Sequence, residues 1–188
     1  MAQAPLLDIE PADPESADAE GHALMAGAQE KLGFLPNMYT YMAKLPPVLD
    51  GYLRTYEDFR ARSGFSPAEQ ETVFLTISRV NGCHYCTAAH SMIAEKMSGV
   101  PAASLAALRD GRPLPDRDLQ AVATFTEAMV VSRGNPGREA VDAFLAAGYG
   151  EQQVLGVVLA IACKTFSNYV NHLAATPVDD VFAPFEAA

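Results

Sequence analysis

Two cysteines, a histidine and a glutamate lie at spacings that allow them to work together. The pattern is Glu71-x11-Cys83-x2-Cys86-x3-His90. A cysteine thiolate is a nucleophile, and an imidazole within reach can exchange a proton with it. Two close thiols can also be oxidised to a disulfide through a sulfenic acid. The residue types therefore indicate dithiol redox chemistry assisted by a proton relay.

This chemistry requires a helix that begins near Gly82. In such a helix Cys83, Cys86 and His90 share one face, because they stand at i, i+3 and i+7. The unpaired N–H groups and the dipole at the helix start favour a thiolate, whose unperturbed pKa is about 8.5. Either cysteine is a candidate for the lower pKa on this ground, so helix position leaves the attacking thiol open.

Glu71 is expected to lie on the preceding helix and to face the interior. Its neighbours at +3, +4 and +7 are Phe74, Leu75 and Ser78. A buried carboxylate needs a partner. The turn at 81–82 would fold this helix back on the next one, which makes His90 the expected partner. Glutamate would then orient imidazole, and imidazole would exchange protons with thiol.

The elements that must position these groups are predicted to be helices throughout. Alanine, leucine, methionine and glutamate dominate, and alternating β-branched strands are absent. Ser66-Pro67-Ala68-Glu69 predicts a capped helix start. The predicted segments are 17–32, 37–44, 47–62, 67–80, 83–97, 101–109, 116–133, 137–147 and 150–174. The expected organisation is a loosely ordered lead-in over 1–15, followed by one all-α domain over 16–188.

A weak internal similarity appears at a shift of 82 residues. Glu69-Gln70 then falls on Glu151-Gln152, and His90 falls on His172. At this shift Cys83, Cys86 and Glu71 correspond to Thr165, Asn168 and Gln153. Chance similarity between helices is an alternative explanation. If the duplication is real, the chain holds two related helical hairpins, of which only the first keeps titratable chemistry.

The spacing of glutamate, cysteine pair and histidine is similar to the signature of the AhpD-like alkylhydroperoxidases. These enzymes are part of the carboxymuconolactone decarboxylase superfamily. The flanking segments resemble its uncharacterised peroxidase-related branch, and the resemblance covers roughly residues 20–185. Those segments are Leu35-Pro36-Asn37, Asn81-Gly82-Cys83-His84-Tyr85-Cys86, Asn168-Tyr169-Val170-Asn171-His172 and Pro177-Val178-Asp179.

The resemblance implies an all-helical fold with an internally repeated motif and a disulfide-cycling peroxidase. By matching positions, Cys86 would attack alkyl or hydrogen peroxide, Cys83 would resolve, and His90 with Glu71 would move protons. The well-studied peroxidases have histidine directly before the second cysteine, whereas here Tyr85 stands there and His84 precedes it. The decarboxylases of the superfamily lack the cysteine pair, which argues against that activity.

The resemblance also implies partners. An external dithiol must reduce the disulfide, and a lipoyl-bearing or thioredoxin-like protein is the expected donor. Family members commonly assemble as trimers or hexamers, so a homo-oligomer is expected. No metal or organic cofactor is required. Four further residues are possible members of the pocket: Tyr85, His84, Asn168 and His172.

Composition excludes several other classes of function. The 13 basic and 23 acidic residues give a net charge of −10, and no basic run is present. A nucleic-acid surface is therefore not expected, nor is attraction to an anionic membrane. The longest apolar run, 154–163, is too short to span a bilayer. No signal peptide is visible, and three cysteines do not make a multi-bridge secreted scaffold, so a cytoplasmic protein is expected.

Other interpretations of the cysteine pair remain. Zinc could be held by two thiolates with Glu71 and either His90 or His84, and a structurally inert pair is a further possibility. A different class of function is a non-catalytic redox sensor or stress-associated binding protein that uses the same dithiol. A lyase or hydrolase acting on a small organic acid would be independent of both cysteines. Cys163 is most simply a buried apolar residue.

Overall fold

Helices make up the regular structure of the chain in the computed structural model, which describes residues 4–186. The all-α prediction is confirmed. Residues 1–3 of the expected lead-in and 187–188 of the expected domain lie outside the described residues. The α-helices are α1 (Ala19–Leu32), α2 (Asn37–Met42), α3 (Pro46–Arg62), α4 (Pro67–Val80), α5 (His84–Lys96), α6 (Ala102–Asp110), α7 (Arg117–Val131), α8 (Arg138–Ala146) and α9 (Glu151–Ala174), with a 3-10 turn at Ala183–Phe185.

The start of α4 shows why the sequence folds as it does locally. The Ser66 N–H donates to Glu69 Oε2 at 2.7 Å, and the Glu69 N–H donates to Ser66 Oγ at 3.4 Å. Pro67, which has no N–H to satisfy, occupies the first helical position. The capping box predicted from the sequence is therefore present, and it fixes where α4 enters the core.

Helix α4 lies at the centre of the molecule, in contact with α5, α6, α7 and α9. Every residue from 70 to 78 on it is buried. Polar side chains on such a helix must find partners. Thr72 and Ser78 donate to the carbonyl oxygens of Ala68 and Phe74, at 2.9 and 2.7 Å. Glu71, one turn into the helix, has no access to solvent and must be satisfied by neighbouring helices.

Apolar packing fixes α4 on both sides. A large cluster of buried side chains includes Phe59, Phe74, Phe125 and Phe144. A smaller cluster lies where α4 meets α5, α6 and α7, and consists of Leu75, Ala94, Val100, Leu105, Leu108, Leu119 and Ala123. Close-packed surroundings of this kind hold α4 against rotation and sliding, so its polar groups keep fixed positions.

A tight turn joins α4 to α5. The N–H of Cys83 donates to the carbonyl of Ser78 at 2.8 Å, and the N–H of Gly82 donates to that of Arg79 at 2.9 Å. These two bonds form a Schellman motif, which requires a left-handed residue between the helices. Gly82 supplies it with φ of 71°. The turn reverses the chain, so the first residues of α5 face back along α4.

Helix α9 differs from the duplication suggested by the sequence. The residues equivalent to the 81–82 turn are Cys163 and Lys164, and α9 runs through them without a break. Neither residue has the glycine's freedom to adopt positive φ, and both tolerate a helix. The segment is therefore one 24-residue helix rather than a second hairpin in this register.

By length and composition alone, α9 could cross a membrane. The core helix of a water-soluble fold passes the same test, and α9 packs against α3 and α4. It also carries the buried polar side chains of Lys164, Ser167, Asn168 and Asn171, which are costly in a lipid environment. Its length and composition are therefore only weak evidence for a membrane span.

The segments near both ends of the described chain are hydrogen-bonded to helices, the first to α9 and the last to α2. The N–H groups of Leu6 and Leu7 donate to the carbonyl of Leu173 at 2.9 and 3.0 Å. Near the other end, Asp179 Oδ1 accepts the N–H of Asn37, the first residue of α2, at 3.0 Å. A carboxylate at that point satisfies an unpaired helix N–H and favours the start of α2.

Candidate functional site

The two cysteines of the pair lie at the very start of α5. Cys83 is the N-cap residue, and its carbonyl accepts the N–H of Thr87 at 2.9 Å. Cys86 stands in the first turn, as the sequence predicts. Both are free thiols, and only 1% of Cys83 and 2% of Cys86 is exposed. The thiols are thus close to unpaired backbone N–H groups and shielded from bulk water, two conditions that strengthen electrostatic effects on them.

The structure brings Glu71 and His90 together, as the hairpin arrangement requires. His90 Nδ1 lies 2.8 Å from Glu71 Oε2, and the carboxylate is fully buried. Because an ionised carboxylate only accepts, Nδ1 donates and Nε2 is left available for proton exchange. The carboxylate therefore fixes both the orientation and the tautomer of the imidazole.

Arg60 on α3 is a member of the site that the sequence reasoning missed. It donates through Nη2 to Glu71 Oε1 and, at 2.8 Å, to the Tyr56 hydroxyl, while Nη1 donates to Gln70 Oε1 at 3.1 Å. Burial by itself raises the pKa of Glu71, but His90 and Arg60 outweigh this and lower it. Glu71 is therefore a carboxylate, and both of its oxygens are occupied.

His90 is held as a neutral base. Burial lowers its pKa first, the charge of Lys164 lowers it further, and Glu71 only partly compensates, so the pKa lies below its ordinary value. Its ring packs 4.8 Å from that of Phe74, centroid to centroid. A neutral imidazole oriented by a carboxylate can accept a proton from a thiol and return it later.

The two thiols differ in acidity. Burial by itself raises the pKa of Cys86, but a hydrogen bond from Cys83, the charge of Lys164 and a hydrogen bond from Ser167 together lower it well below its ordinary value. The pKa of Cys83 is raised, chiefly because it donates to Cys86 and is buried. The environment thus favours a thiolate on Cys86 and a thiol on Cys83, a distinction that helix position alone leaves open.

Helix α9 contributes a polar face of which the sequence analysis named Asn168 but not Lys164, Ser167 or Asn171 as members of the site. Asn171 Nδ2 lies 3.3 Å from Cys86 Sγ and 3.7 Å from Cys83 Sγ, and donates also to Met38 Sδ at 3.2 Å. Lys164 and Ser167 precede it by two turns and by about one turn, on the same side of the helix. The sequence signal for this face is that polar residues recur at helical spacing within the most apolar helix of the described chain.

The four possible pocket residues have different surroundings. Tyr85 is buried and donates through its hydroxyl to Asp179 Oδ2 at 2.5 Å. Burial and this bond raise the pKa of Tyr85, so it stays a phenol. Asn168 accepts from Asn81 Nδ2 at 2.8 Å. His84 is exposed and His172 half-buried, and neither bonds to a thiol in the described part of the chain.

Over residues 4–186 the structure shows no preformed set of metal ligands. No three His, Cys, Asp or Glu side chains there are grouped as ligands for an ion. Glu71, which the zinc interpretation needs, has both oxygens bonded to Arg60 and His90. A groove of about 450 Å³ lies elsewhere, between α4, α6 and α7. None of the predicted site residues lines that groove.

Comparison with known proteins gives a family match over part of the chain and several solved structures that share its fold. Residues 46–128 match the carboxymuconolactone decarboxylase family. This segment contains Arg60, Glu71, both cysteines of the pair and His90. No curated protein shows significant similarity to the chain.

Solved structures share the whole fold at low sequence identity. An uncharacterised peroxidase-related protein with an alkylhydroperoxidase AhpD core, from Ralstonia eutropha JMP134, is 16% identical with a TM-score of 0.82, over 96% of both chains. A single-residue variant of the debrominase Bmp8, in complex with 2,3,4-tribromopyrrole, is 19% identical with a TM-score of 0.77, over 95% of both chains. A peroxidase-related protein from Silicibacter sp. TM1040 is 22% identical with a TM-score of 0.74, over 95% of this chain and 93% of that one.

These neighbours cover nearly the full length of the chain, and their identities are low enough that they establish the fold alone. The fold hosts proteins named for different activities, a peroxidase-related group and a debrominase. The family match covers less than half of the chain. Residues 46–128 are thus similar to the carboxymuconolactone decarboxylase family, and the whole chain has an all-helical fold similar to that of the AhpD core.

Proposed function

We propose that the protein is a thiol-dependent peroxidase that reduces alkyl or hydrogen peroxide through a Cys83/Cys86 dithiol-disulfide cycle. The observation that carries this proposal is the difference between the two thiols. Cys86 is buried against His90 and Asn171 with a lowered pKa, whereas Cys83 stays protonated beside it. A reactive thiolate next to a protonated thiol is the arrangement that attack followed by resolution requires.

The cycle balances with the groups present and two external reactants. The Cys86 thiolate bonds to one peroxide oxygen, the O–O bond breaks, and the leaving alkoxide takes a proton to become an alcohol. His90, oriented by Glu71, is the group that hands protons between thiol and leaving group. The Cys83 thiol then attacks the sulfenic acid of Cys86, forming a disulfide and releasing water. An external dithiol reduces this disulfide and is itself oxidised.

The partners follow from this cycle as proposals. A lipoyl-bearing or thioredoxin-like protein is the proposed reductant, in a reducing cytoplasm where the three thiols stay free. A homo-oligomer, trimer or hexamer, is also proposed. An exposed apolar stripe on α9, formed by Leu155, Val158, Tyr169 and Leu173, supports contact with another copy. Light scattering during size exclusion would measure the mass against the 20.1 kDa chain, and a monomer would contradict this part.

The proposed function is tested by mass spectrometry of the reduced protein after stoichiometric cumene hydroperoxide. We expect rapid loss of two hydrogen atoms and a Cys83–Cys86 peptide linkage. Cys83→Ser should trap a sulfenic acid on Cys86, and Cys86→Ser should abolish the reaction. Cys163→Ala is the matched control, because burial raises the pKa of Cys163 to about 11 and it lies outside the pair; its reaction should be unchanged.

Three outcomes would overturn parts of the proposal. A sulfenic acid on Cys83 in Cys86→Ser would exchange the two thiol roles. Disulfide formation without turnover by any reductant would favour the redox sensor. Because one structural neighbour is named a debrominase, 2,3,4-tribromopyrrole is tested in parallel. Bromide release with both thiols inert to peroxide would replace the peroxidase by a dehalogenating enzyme.

A further inference from the structure

We propose that Lys164 on α9 is the buried counter-ion of the Cys86 thiolate. The inference rests on the proposed function in one respect only, that Cys86 is the reactive thiol. It adds a second charged group, from a helix outside the sequence motif, that stabilises the reactive form of the dithiol. The supporting observations are burial, charge balance and the position of Lys164 on α9.

Lys164 is buried without a conventional partner. Its side chain is 1% exposed, and over residues 4–186 its Nζ donates no hydrogen bond and lies within 4.0 Å of no carboxylate. Taking an ammonium out of water is costly unless an opposite charge compensates. A lysine kept in this position therefore indicates an anion close by.

The carboxylate of the site is not that anion. Glu71 already binds Arg60 through one oxygen and His90 through the other. The Phe74 ring, 5.6 Å from Lys164 Nζ, gives a cation–π contact but carries no net charge. Arg60 lies over the same ring at 5.0 Å, so the ring is shared between two cations. The acids that remain near Lys164 are thiols.

Lys164 lies on the face of α9 that is turned toward the dithiol. Lys164, Ser167 and Asn171 stand at i, i+3 and i+7 and share one face of the helix. Asn171 on that face donates to Cys86 Sγ at 3.3 Å, which fixes the face as the one opposite the dithiol. The charge of Lys164 lowers the pKa of Cys86, and it also opposes, without outweighing, the influences that raise the pKa of Cys83.

Other titratable groups around Cys86 do not replace this partner. His90 is neutral in the reduced site, and the tyrosines of this region keep their protons because burial raises their pKa. Lys164 is therefore the fixed positive charge that faces the sulfur. The titratable groups that interact electrostatically with Cys86 come from three helices. They are Cys83 and Tyr85 at the start of α5, His90 on α5, Tyr52 on α3, and Cys163 and Lys164 on α9.

The pairing also fits the proposed cycle. When the thiolate attacks, its negative charge passes to the leaving oxygen, which departs as a neutral alcohol after taking a proton. In this role Lys164 transfers no proton, and its charge faces the negative charge first on sulfur and then on oxygen. It is therefore an electrostatic partner, separate from the proton transfer assigned to His90.

The test is a pH titration of thiolate absorbance in the reduced protein, taken as the difference from Cys86→Ser. Lys164→Met removes the charge and keeps a similar length, and Lys164→Arg keeps the charge. We expect the wild-type midpoint to lie below the ordinary cysteine pKa of about 8.5. Lys164→Met should move it up by at least about one pH unit, a tenfold loss of acidity, and Lys164→Arg should restore it to within about half a unit.

A midpoint unchanged in a folded Lys164→Met protein would overturn the inference, as would failure of Lys164→Arg to restore it. Should Lys164→Met fail to fold, Lys164→Gln, uncharged but able to hydrogen-bond, is titrated instead with the same criteria. Thermal unfolding supplies a second readout: Lys164→Met should cost less stability in Cys86→Ser than in wild type, and additive effects would contradict the pairing. Absorbance reports the pairing even if peroxide fails to oxidise Cys86, so the two proposals fail separately.

Discussion

The hairpin of α4 and α5 and the single helix α9 share a faint sequence similarity but have different structures and different parts in the site. At a shift of 82 residues, Asn81-Gly82 falls on Cys163-Lys164. In the first segment Gly82 adopts φ of 71° and the chain reverses. In the second the helix continues, and the position of the turn glycine is taken by the buried lysine.

The difference divides the chemistry between the two regions. The hairpin can place residues from two helices opposite each other, so Glu71 reaches His90 and the cysteines start a helix. A straight helix can only present a face, and α9 presents one cation and several hydrogen-bonding groups to the sulfur atoms. The paired thiols, the imidazole and the carboxylate thus come from the reversed segment, and an ammonium and an amide come from the straight one.

The largest effect is expected from Glu71→Gln, which gives the hairpin the residue that α9 carries at the equivalent position, Gln153. It leaves the Arg60 guanidinium, 21% exposed, without a counter-charge, and only one acceptor oxygen remains for Arg60 and His90, which each bond to one carboxylate oxygen of Glu71. We expect a loss of about 3 kcal/mol in the free energy of unfolding. Chemical denaturation measures it, and peroxide oxidation of the dithiol should slow at least tenfold.

The matched control is Glu127→Gln. Glu127 likewise pairs with an arginine, Arg79 on α4, at 2.6 Å, but both side chains are partly exposed. Such pairs contribute little, so its unfolding midpoint should stay close to that of wild type. Equal losses in Glu71→Gln and Glu127→Gln would contradict a special role for the buried carboxylate.

An intermediate effect is expected from Asn171→Leu, which removes the amide of α9 and keeps the side-chain size. A hydrogen bond to a charged group contributes about 1.5–3 kcal/mol, and Asn171 donates to Cys86 Sγ. We expect the rate constant for oxidation of Cys86 by hydrogen peroxide, measured by competition, to fall about tenfold. Thr165→Ala, on the exposed side of the same helix, should leave the rate unchanged. A wild-type rate in Asn171→Leu would show that α9 supports the thiols only by packing.

The smallest effect is expected from Gly82→Ala, which opposes the turn itself. A left-handed conformation costs a residue with a side chain about 1 kcal/mol, and no atom obstructs the new methyl group. Thermal unfolding should show a decrease of about 2–4 °C. Gly27→Ala is the counterpart, since Gly27 lies within α1 with open space around it. It should raise stability by about 0.5–1 kcal/mol, and a gain in both variants would exclude backbone strain at the turn.

The helices and the core of the motif could be predicted from the sequence because their signals are local. The capping box at Ser66, the turn at Gly82 and the i, i+3, i+7 spacing from Cys83 involve residues that are close along the chain. Glu71 was expected inside because its helical neighbours are apolar, and it is fully buried. Local periodicity contains this information.

The rest of the site depends on contacts between distant segments. Arg60 lies on α3, and Asp179, which binds Tyr85, lies near the C-terminal end of the chain. Neither position has a spacing that relates it to the cysteines. On α9 the sequence points to Asn168 and His172, whereas Asn171 donates to the thiols. His172 lies off that face because one residue turns a helix by about 100°. A fold is needed to choose between adjacent residues on such a helix.

The near-complete burial of both thiols has a kinetic consequence. A reactant too large to enter the closed molecule meets sulfur only while the surrounding helices are transiently parted. Its reaction rate rises with concentration at first and then levels off at the rate of opening. A small hydroperoxide and a protein reductant would therefore reach different ceilings. In steady state, the turnover number would report how often the helices separate rather than how fast sulfur reacts.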